Sequence, residues 1–276
     1  MPTPPPPGAA SPDPRRWLVL AICCMSLFIV GLDNTAVNVA LPSMRDDLSA
    51  STAQLQWIVS AYTLVLASLL LLAGSTADRL GRARIFKIGL ALFSTGSLLC
   101  SVAPSANALI GFRMLQGIGG SMLNPVAMSI IRNTFDDPRE RAQAIGVWAG
   151  VIGLSLAAGP VVGGTLVELI DWRAIFWINV PVGVAAIALT ARFIDESKAP
   201  QRRPVDPVGQ LLIIAVLALA VFSIIEAPEA GWASPETIGG LLVAAALLVA
   251  FVAYELRHDL PLLDPRFFQS APFAGA

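Results

Sequence analysis

The chain has 276 residues, of which 55% are hydrophobic and 13% charged, with a formal net charge of −1. A soluble domain carries about 25% charged residues, so this composition, with a mean hydropathy of +0.71, excludes an ordinary soluble domain and places the chain in a membrane. The near-neutral charge leaves no electrostatic footprint for a nucleic acid. The apolar residues form long continuous runs and not short alternating segments, which argues for helices and against a barrel.

Eight runs are predicted: 17–41, 55–77, 85–103, 107–131, 142–168, 174–193, 208–225 and 238–254. Each is near the ~20 residues a spanning helix needs, so the expected fold is an all-α, polytopic membrane protein of about eight spans. Residues 1–14 are Pro-rich and poor in helix formers, and are expected to form a disordered cytoplasmic tail. They are not read as a signal peptide, since no short apolar core with a small-residue cleavage site follows. Pro42, Pro104, Pro138 and Pro228 fall between runs, where a missing N–H breaks no helical hydrogen bond.

The first run holds no Lys or Arg, yet it carries Asp33, flanked by Asn34, Thr35 and Asn38. A charge at that depth costs at least about 2.5–3.5 kcal/mol on insertion scales, so Asp33 reads as a functional group facing the protein interior or a water-filled cavity. A structural carboxylate paired to a neighbouring helix is the alternative. The second run offers Trp57 and Tyr62 as weak candidates for a substrate cavity, beside Asn34 and Asn38 in the first run and Gln116 in the fourth.

Between runs two and three lies Gly74-Ser-Thr-Ala-Asp78-Arg79-Leu-Gly81-Arg82-Ala83-Arg84. Asp78 is expected to accept from amides at a helix start, or to pair with a base across the bundle. Gly74 is expected to admit a close neighbour, and Gly81 a tight turn.

Run four carries Arg113, Gln116, Gly117, Gly119 and Gly120. Arg113 reads as functional, or as a base snorkelling to the interface. Asp33 lies eight residues before the outer end of run one, and Arg113 six residues after the outer start of run four. At ~1.5 Å per residue their depths differ by about 3 Å, so the two charges can meet if the helices are neighbours.

Run five spaces Gly146, Gly150 and Gly153, then Gly159-Pro160-Val-Val-Gly163-Gly164. Small residues at that spacing give a close packing face, and Pro160 is expected to bend the helix.

Fifteen of the eighteen basic residues fall on one side of the spans. They are Arg15 and Arg16, Arg79 to Lys87, Arg132 to Arg141, Arg192 to Arg203, and Arg257 with Arg266. The other side holds Arg45 and Arg173. That asymmetry predicts a cell-membrane, multi-pass protein with its N-terminus in the cytoplasm. Cys23, Cys24 and Cys100 lie in apolar runs and read as buried hydrophobes; His258 sits among charges. No metal-ligand cluster or nucleophile–base pair is found, so neither a cofactor nor an enzyme is expected.

Several stretches carry a family resemblance. The 74–84 loop is similar to the signature loop of the major facilitator superfamily, and the Arg113 stretch to its intramembrane arginine motif. The Gly159-Pro160 stretch resembles the antiporter motif of its exporters. Leu32 to Pro42, Asp171-Trp172-Arg173 and Phe176 to Pro181 resemble the fourteen-span drug:proton antiporters of that superfamily, over nearly all of residues 15–276. Ala83 departs from the loop pattern, where a second base is common.

The resemblance implies a six-helix first half at 15–197, then a linker with two extra spans at 198–258. Residues 259–276 would be the start of a truncated C-terminal half. It implies a proton-coupled exporter of hydrophobic, often cationic, small molecules, with Asp33 and Arg113 in proton coupling and the 74–84 loop as a conformational latch. An uptake or metabolite carrier of the same fold is one alternative. A non-transporting fragment that needs a complementary half, or self-associates, is another. In that setting Asp33, Arg113 and the Gly159-Pro160 bend are expected on a face that opens to lipid when no second half covers it. Trp172 and Trp177 suit an interfacial aromatic belt.

Overall fold

The computed structural model describes residues 15–199 and 206–257. The expected tail at 1–14, part of the linker, His258 and the 259–276 stretch lie outside them. Nine helices are found among the described residues: α1 (Arg15–Leu48), α2 (Thr52–Leu80), α3 (Arg82–Ser101), α4 (Ala106–Thr134), α5 (Pro138–Leu169), α6 (Ala174–Trp177), α7 (Asn179–Phe193), α8 (Pro207–Ala230) and α9 (Pro235–Glu255). Seven spans are long and apolar enough to cross a membrane, α6 and α7 counting together as one. The eighth predicted span is α4. It is 29 residues long, but Arg113, Gln116, Ser121 and Asn124 dilute its apolar character.

Polar side chains set several helix starts. Ser51 and Gln54 form a reciprocal capping box at α2. Ser105 and Ser234 cap α4 and α9, while Asp137 and Asp206 cap α5 and α8, each followed by Pro at the first position. Two prolines expected in connections are instead inside helices: Pro42 in α1 and Pro228 in α8. A lone proline near a helix end removes one hydrogen bond without stopping a helix already held by packing. The sixth span breaks after Trp177, because Pro181 has no N–H to offer the Trp177 carbonyl four residues earlier.

The packing is built on α1 against α5 and α7, and on α4 against α2 and α3. Two apolar clusters result. One gathers Ile22, Phe86, Phe93, Leu123 and Phe135. The other gathers Leu32, Met44, Ile58, Leu109 and Phe176. Asp33 sits at the boundary between them. The α8–α9 hairpin packs on α2, where Gln210 Nε2 donates to the Ser68 carbonyl at 2.5 Å and Trp57 Nε1 donates to Glu226 at 3.0 Å. Its remaining faces are apolar and exposed, at Leu211, Phe222, Leu242 and Val249 among others, as a lipid-facing surface requires.

Candidate functional site

Asp33 and Arg113 meet directly. Arg113 Nη1 donates to Asp33 Oδ2 at 2.6 Å, and the residues are 0% and 1% exposed respectively. A buried pair of this kind is tolerable only where the remaining donors and acceptors are also satisfied. Residues of α2, α4, α6 and α7 surround this pair. Arg113 Nε donates to the Ile58 carbonyl of α2 at 3.1 Å, and Nη1 also to Gln116 Oε1 at 2.7 Å. The guanidinium lies 4.1 Å from the Tyr62 ring centre and 5.8 Å from that of Phe176. Asp33 Oδ1 accepts from Gln116 Nε2 at 3.0 Å and from Asn179 Nδ2 at 3.1 Å.

Ser97 of α3 closes the network. Its single hydroxyl proton goes to the Phe176 carbonyl at 3.0 Å. Its oxygen therefore accepts from both amides, Asn179 Nδ2 at 2.9 Å and Gln116 Nε2 at 3.2 Å. The helix geometry makes this contact available. Gly96 lets α3 press its backbone onto Gln116: a Cβ there would stand 2.7 Å from the Gln116 backbone. The break after Trp177 turns Asn179 inward at the start of α7. Asn179 and Ser97 are not among the site residues expected from the sequence, although Asn179 falls within the Phe176-to-Pro181 stretch that carries the family resemblance.

The expectation that Asp33 and Arg113 lie on a face open to lipid is therefore overturned: they are sealed inside this set of helices and partnered there. Nor does Arg113 snorkel. Tyr62 does not line a cavity either; it is 1% exposed, stacked on the guanidinium. Gln116 is buried in the same network. Trp57 is at the α2–α8 seam, bonded to Glu226 and tilted against Phe222. Asn34 and Asn38 are exposed on α1, with Asn38 Nδ2 donating to the Asn34 carbonyl at 3.2 Å.

The 74–84 loop is a tight turn around Gly81, whose φ of +124° favours glycine. Asp78 Oδ1 accepts from Nε and Nη2 of Arg82, at 3.1 and 3.0 Å. That bond is one helical turn away in sequence, neither across the bundle nor to helix-start amides. The carboxylate at the start of α3 is Glu196, which takes the amides of Ala83 and Arg84 at 3.1 and 3.0 Å. Two backbone bonds run beside it, Arg82 N–H to the Ser197 carbonyl and Ala199 N–H to the Asp78 carbonyl. The loop is thus clamped to the segment after α7, next to a cavity of about 840 Å³ lined by Arg16, Asp137, Arg192 and Glu196 among others. Arg79 and Arg84 are exposed, and Gly74 makes ordinary contact with Pro125.

On α5, Gly159 and Gly163 do pack closely: a Cβ on either would collide with Thr35 or Ala36 of α1. Gly146, Gly150 and Gly153 face open space, so the packing stripe is shorter than the spacing suggested. Gly164 only touches Val39. Pro160 is exposed within one continuous helix. Trp172 is buried, its indole N–H donating to Asp47 at 3.1 Å, so of the two expected belt residues Trp177 alone is exposed.

The Major Facilitator Superfamily profile matches residues 23–273. The chain belongs to that superfamily. Among curated relatives, it is 37% identical to the tetracenomycin C resistance and export protein of Streptomyces glaucescens, over 95% of this chain and 48% of that one. It is 40% identical to the puromycin resistance protein of Streptomyces alboniger, over 92% and 50%. It is 36% identical to the multidrug efflux pump LfrA of Mycolicibacterium smegmatis, over 98% and 53%. The chain thus spans about half the length of the curated relatives it matches. Among solved structures, the peptide transporter POT in complex with sulfate aligns with a TM-score of 0.65 at 17% identity, over 87% of this chain and 53% of that one; this likeness concerns the fold. This facilitator chain is therefore an all-α, multi-pass membrane protein, and the superfamily is one of transporters.

Proposed function

We propose that this chain is the first half, with two additional spans, of a proton-coupled exporter of small hydrophobic or cationic molecules. Residues 15–197 form the six-span half and 198–258 the linker and added hairpin. The relatives are about twice its length, so the cycle belongs to an assembly with a second set of helices. That set is continuous with this chain, a complementary half, or a second copy. The basic residues orient the N-terminus to the cytoplasm.

The observation that carries this reading is the sealed Asp33–Arg113 pair inside a bundle otherwise made of apolar spans. Titratable groups at such depth are retained where charge moves. Protonating Asp33 removes the counter-charge of Arg113, and that change biases the helices between two arrangements. The 74–84 loop, clamped by Glu196, is the latch those arrangements make and break. Gly159 and Gly163 let α5 slide on α1, and Asn34 and Asn38, exposed on the same helix as Asp33, face the substrate. The resistance and efflux relatives support export over uptake.

The test is efflux from energised vesicles by the assembled transporter. Asp33→Asn, inserted normally, is expected to abolish proton-driven export; full export by that variant would refute the coupling role. Asp78→Ala should lower turnover with little change in drug binding, since the loop acts on the conformational equilibrium.

A further inference from the structure

Asp33 is held as a carboxylate by donors only: Arg113 Nη1 on Oδ2, and the amides of Gln116 and Asn179 on Oδ1. A proton added to this group creates an O–H, and that O–H must find an acceptor in a place with no bulk water. Two amide oxygens are at hand. Gln116 Oε1 is already taken by Arg113 at 2.7 Å, so turning that amide would put an NH₂ against the guanidinium. Asn179 Oδ1 is buried and has no hydrogen-bond partner. Rotating the Asn179 side chain by half a turn exchanges its NH₂ for that oxygen beside Asp33. It gives up the bonds to Asp33 and Ser97, while Ser97 keeps Gln116 as a donor.

We propose that Asn179 is the positioning residue that lets Asp33 hold a proton: its amide donates to the carboxylate and turns to accept from the carboxyl. In the step, a hydronium ion reaching the site gives up one O–H bond and leaves as water while one O–H bond forms on Asp33; no other covalent bond changes, and the guanidinium stays charged. The titratable side chains in reach of Asp33 are Arg113 from α4, Tyr62 from α2 and Cys100 from α3. The described contacts that α5 and α7 bring to this stretch of α1 are neutral: Ser155, Gly159, Gly163 and Asn179. Asn179 is thus the group whose hydrogen bonding can change sign without placing another charge.

This inference rests on the coupling role of Asp33, and the experiment separates the two. The full chain in lipid nanodiscs is followed by infrared difference spectroscopy across pH, with and without ¹⁵N-labelled asparagine side chains. A carboxyl band that appears on acidification and is missing in Asp33→Asn establishes protonation of Asp33. Its absence from the wild type sinks the coupling reading, and this proposal with it. With that band in hand, an asparagine amide band is expected to move at the same pH, and to vanish in Asn179→Ser. The Ser variant, whose hydroxyl both donates and accepts, should keep the Asp33 carboxyl band at its wild-type frequency. Asn179→Leu, similar in branching, leaves the carboxyl O–H without an acceptor, so its O–H stretch should move to the higher frequency of an unbonded hydroxyl. A silent asparagine band, or a Leu variant whose O–H stretch stays at the wild-type frequency, overturns the proposal.

Discussion

Replacing Arg113 by Met tests whether the ion pair is as dry as its burial implies. The substitution removes the 2.6 Å bond to Asp33 and leaves that carboxylate with its two amide donors. It also removes the second donor on the Ile58 carbonyl, leaves Gln116 Oε1 with only the Cys100 thiol at 4.0 Å, and takes the cation off the Tyr62 ring. Breaking a buried pair by removing one partner costs about 3–5 kcal/mol. The weakly partnered Gln116 Oε1 adds about 1–3 kcal/mol where water does not reach it, which makes the upper end of that range the expected value. Removing both charges together, as Asp33→Leu with Arg113→Met, should recover most of the loss, because no buried charge is then left unpaired. The assay is reversible unfolding of the chain in mixed micelles, run as a double-mutant cycle at low and high salt. Exposed pairs weaken with salt, whereas this one should not. A loss below about 1 kcal/mol for Arg113→Met, or a coupling energy that falls with salt, would show the pair to be solvated and refute the reasoning.

Three further outcomes are expected. Gly163→Val should destabilise the α1–α5 contact by about 1–3 kcal/mol, because a Cβ would stand 2.9 Å from the Ala36 Cα, while Gly150→Ala, in open space, should be neutral or better; equal effects at both sites in the same unfolding assay would contradict the packing described. Glu196→Ala should raise hydrogen exchange at the Ala83 and Arg84 amides and cost about 0.5–2 kcal/mol, as the loss of a helix cap does; unchanged protection would place the cap elsewhere. For orientation, a cysteine at exposed Ala230 should react with an impermeant reagent from outside and one at exposed Arg84 should not, and the reverse result would invert the topology.

Much of the fold was legible because its physics is one-dimensional. Apolar runs of membrane length and a lopsided basic count need no knowledge of neighbours, and depth along two antiparallel spans brought Asp33 level with Arg113. What failed were statements about which side a residue faces. Whether Trp57 turns to a cavity or to α8 depends on a hairpin far along the chain, and whether Tyr62 lines a space or stacks on Arg113 depends on how α2 meets α4. The packing stripe on α5 was overextended for the same reason, since α1 covers Gly159 and Gly163 but not Gly150. Glu196 lies outside every run, and the cap it supplies to α3 comes from 113 residues away. Asn179 sat in plain view within the Phe176-to-Pro181 stretch, but the backbone break that turns it inward requires the fold.

The polar character of α4 has a consequence for how the protein is made. Taken alone, α4 is a poor candidate for entering lipid, since a spanning Arg that nothing answers costs up to about 2.5–3.5 kcal/mol. Yet nearly everything that answers Arg113 is synthesised earlier: Asp33 in α1, and the Ile58 carbonyl and Tyr62 in α2, with Gln116 arriving in the same helix. When α4 leaves the ribosome, its receiving surface already stands in the membrane. The order of the genes' codons thus matches the order of electrostatic need, and α4 is admitted by its predecessors, with Asn179 following two spans later to complete the shell around Asp33.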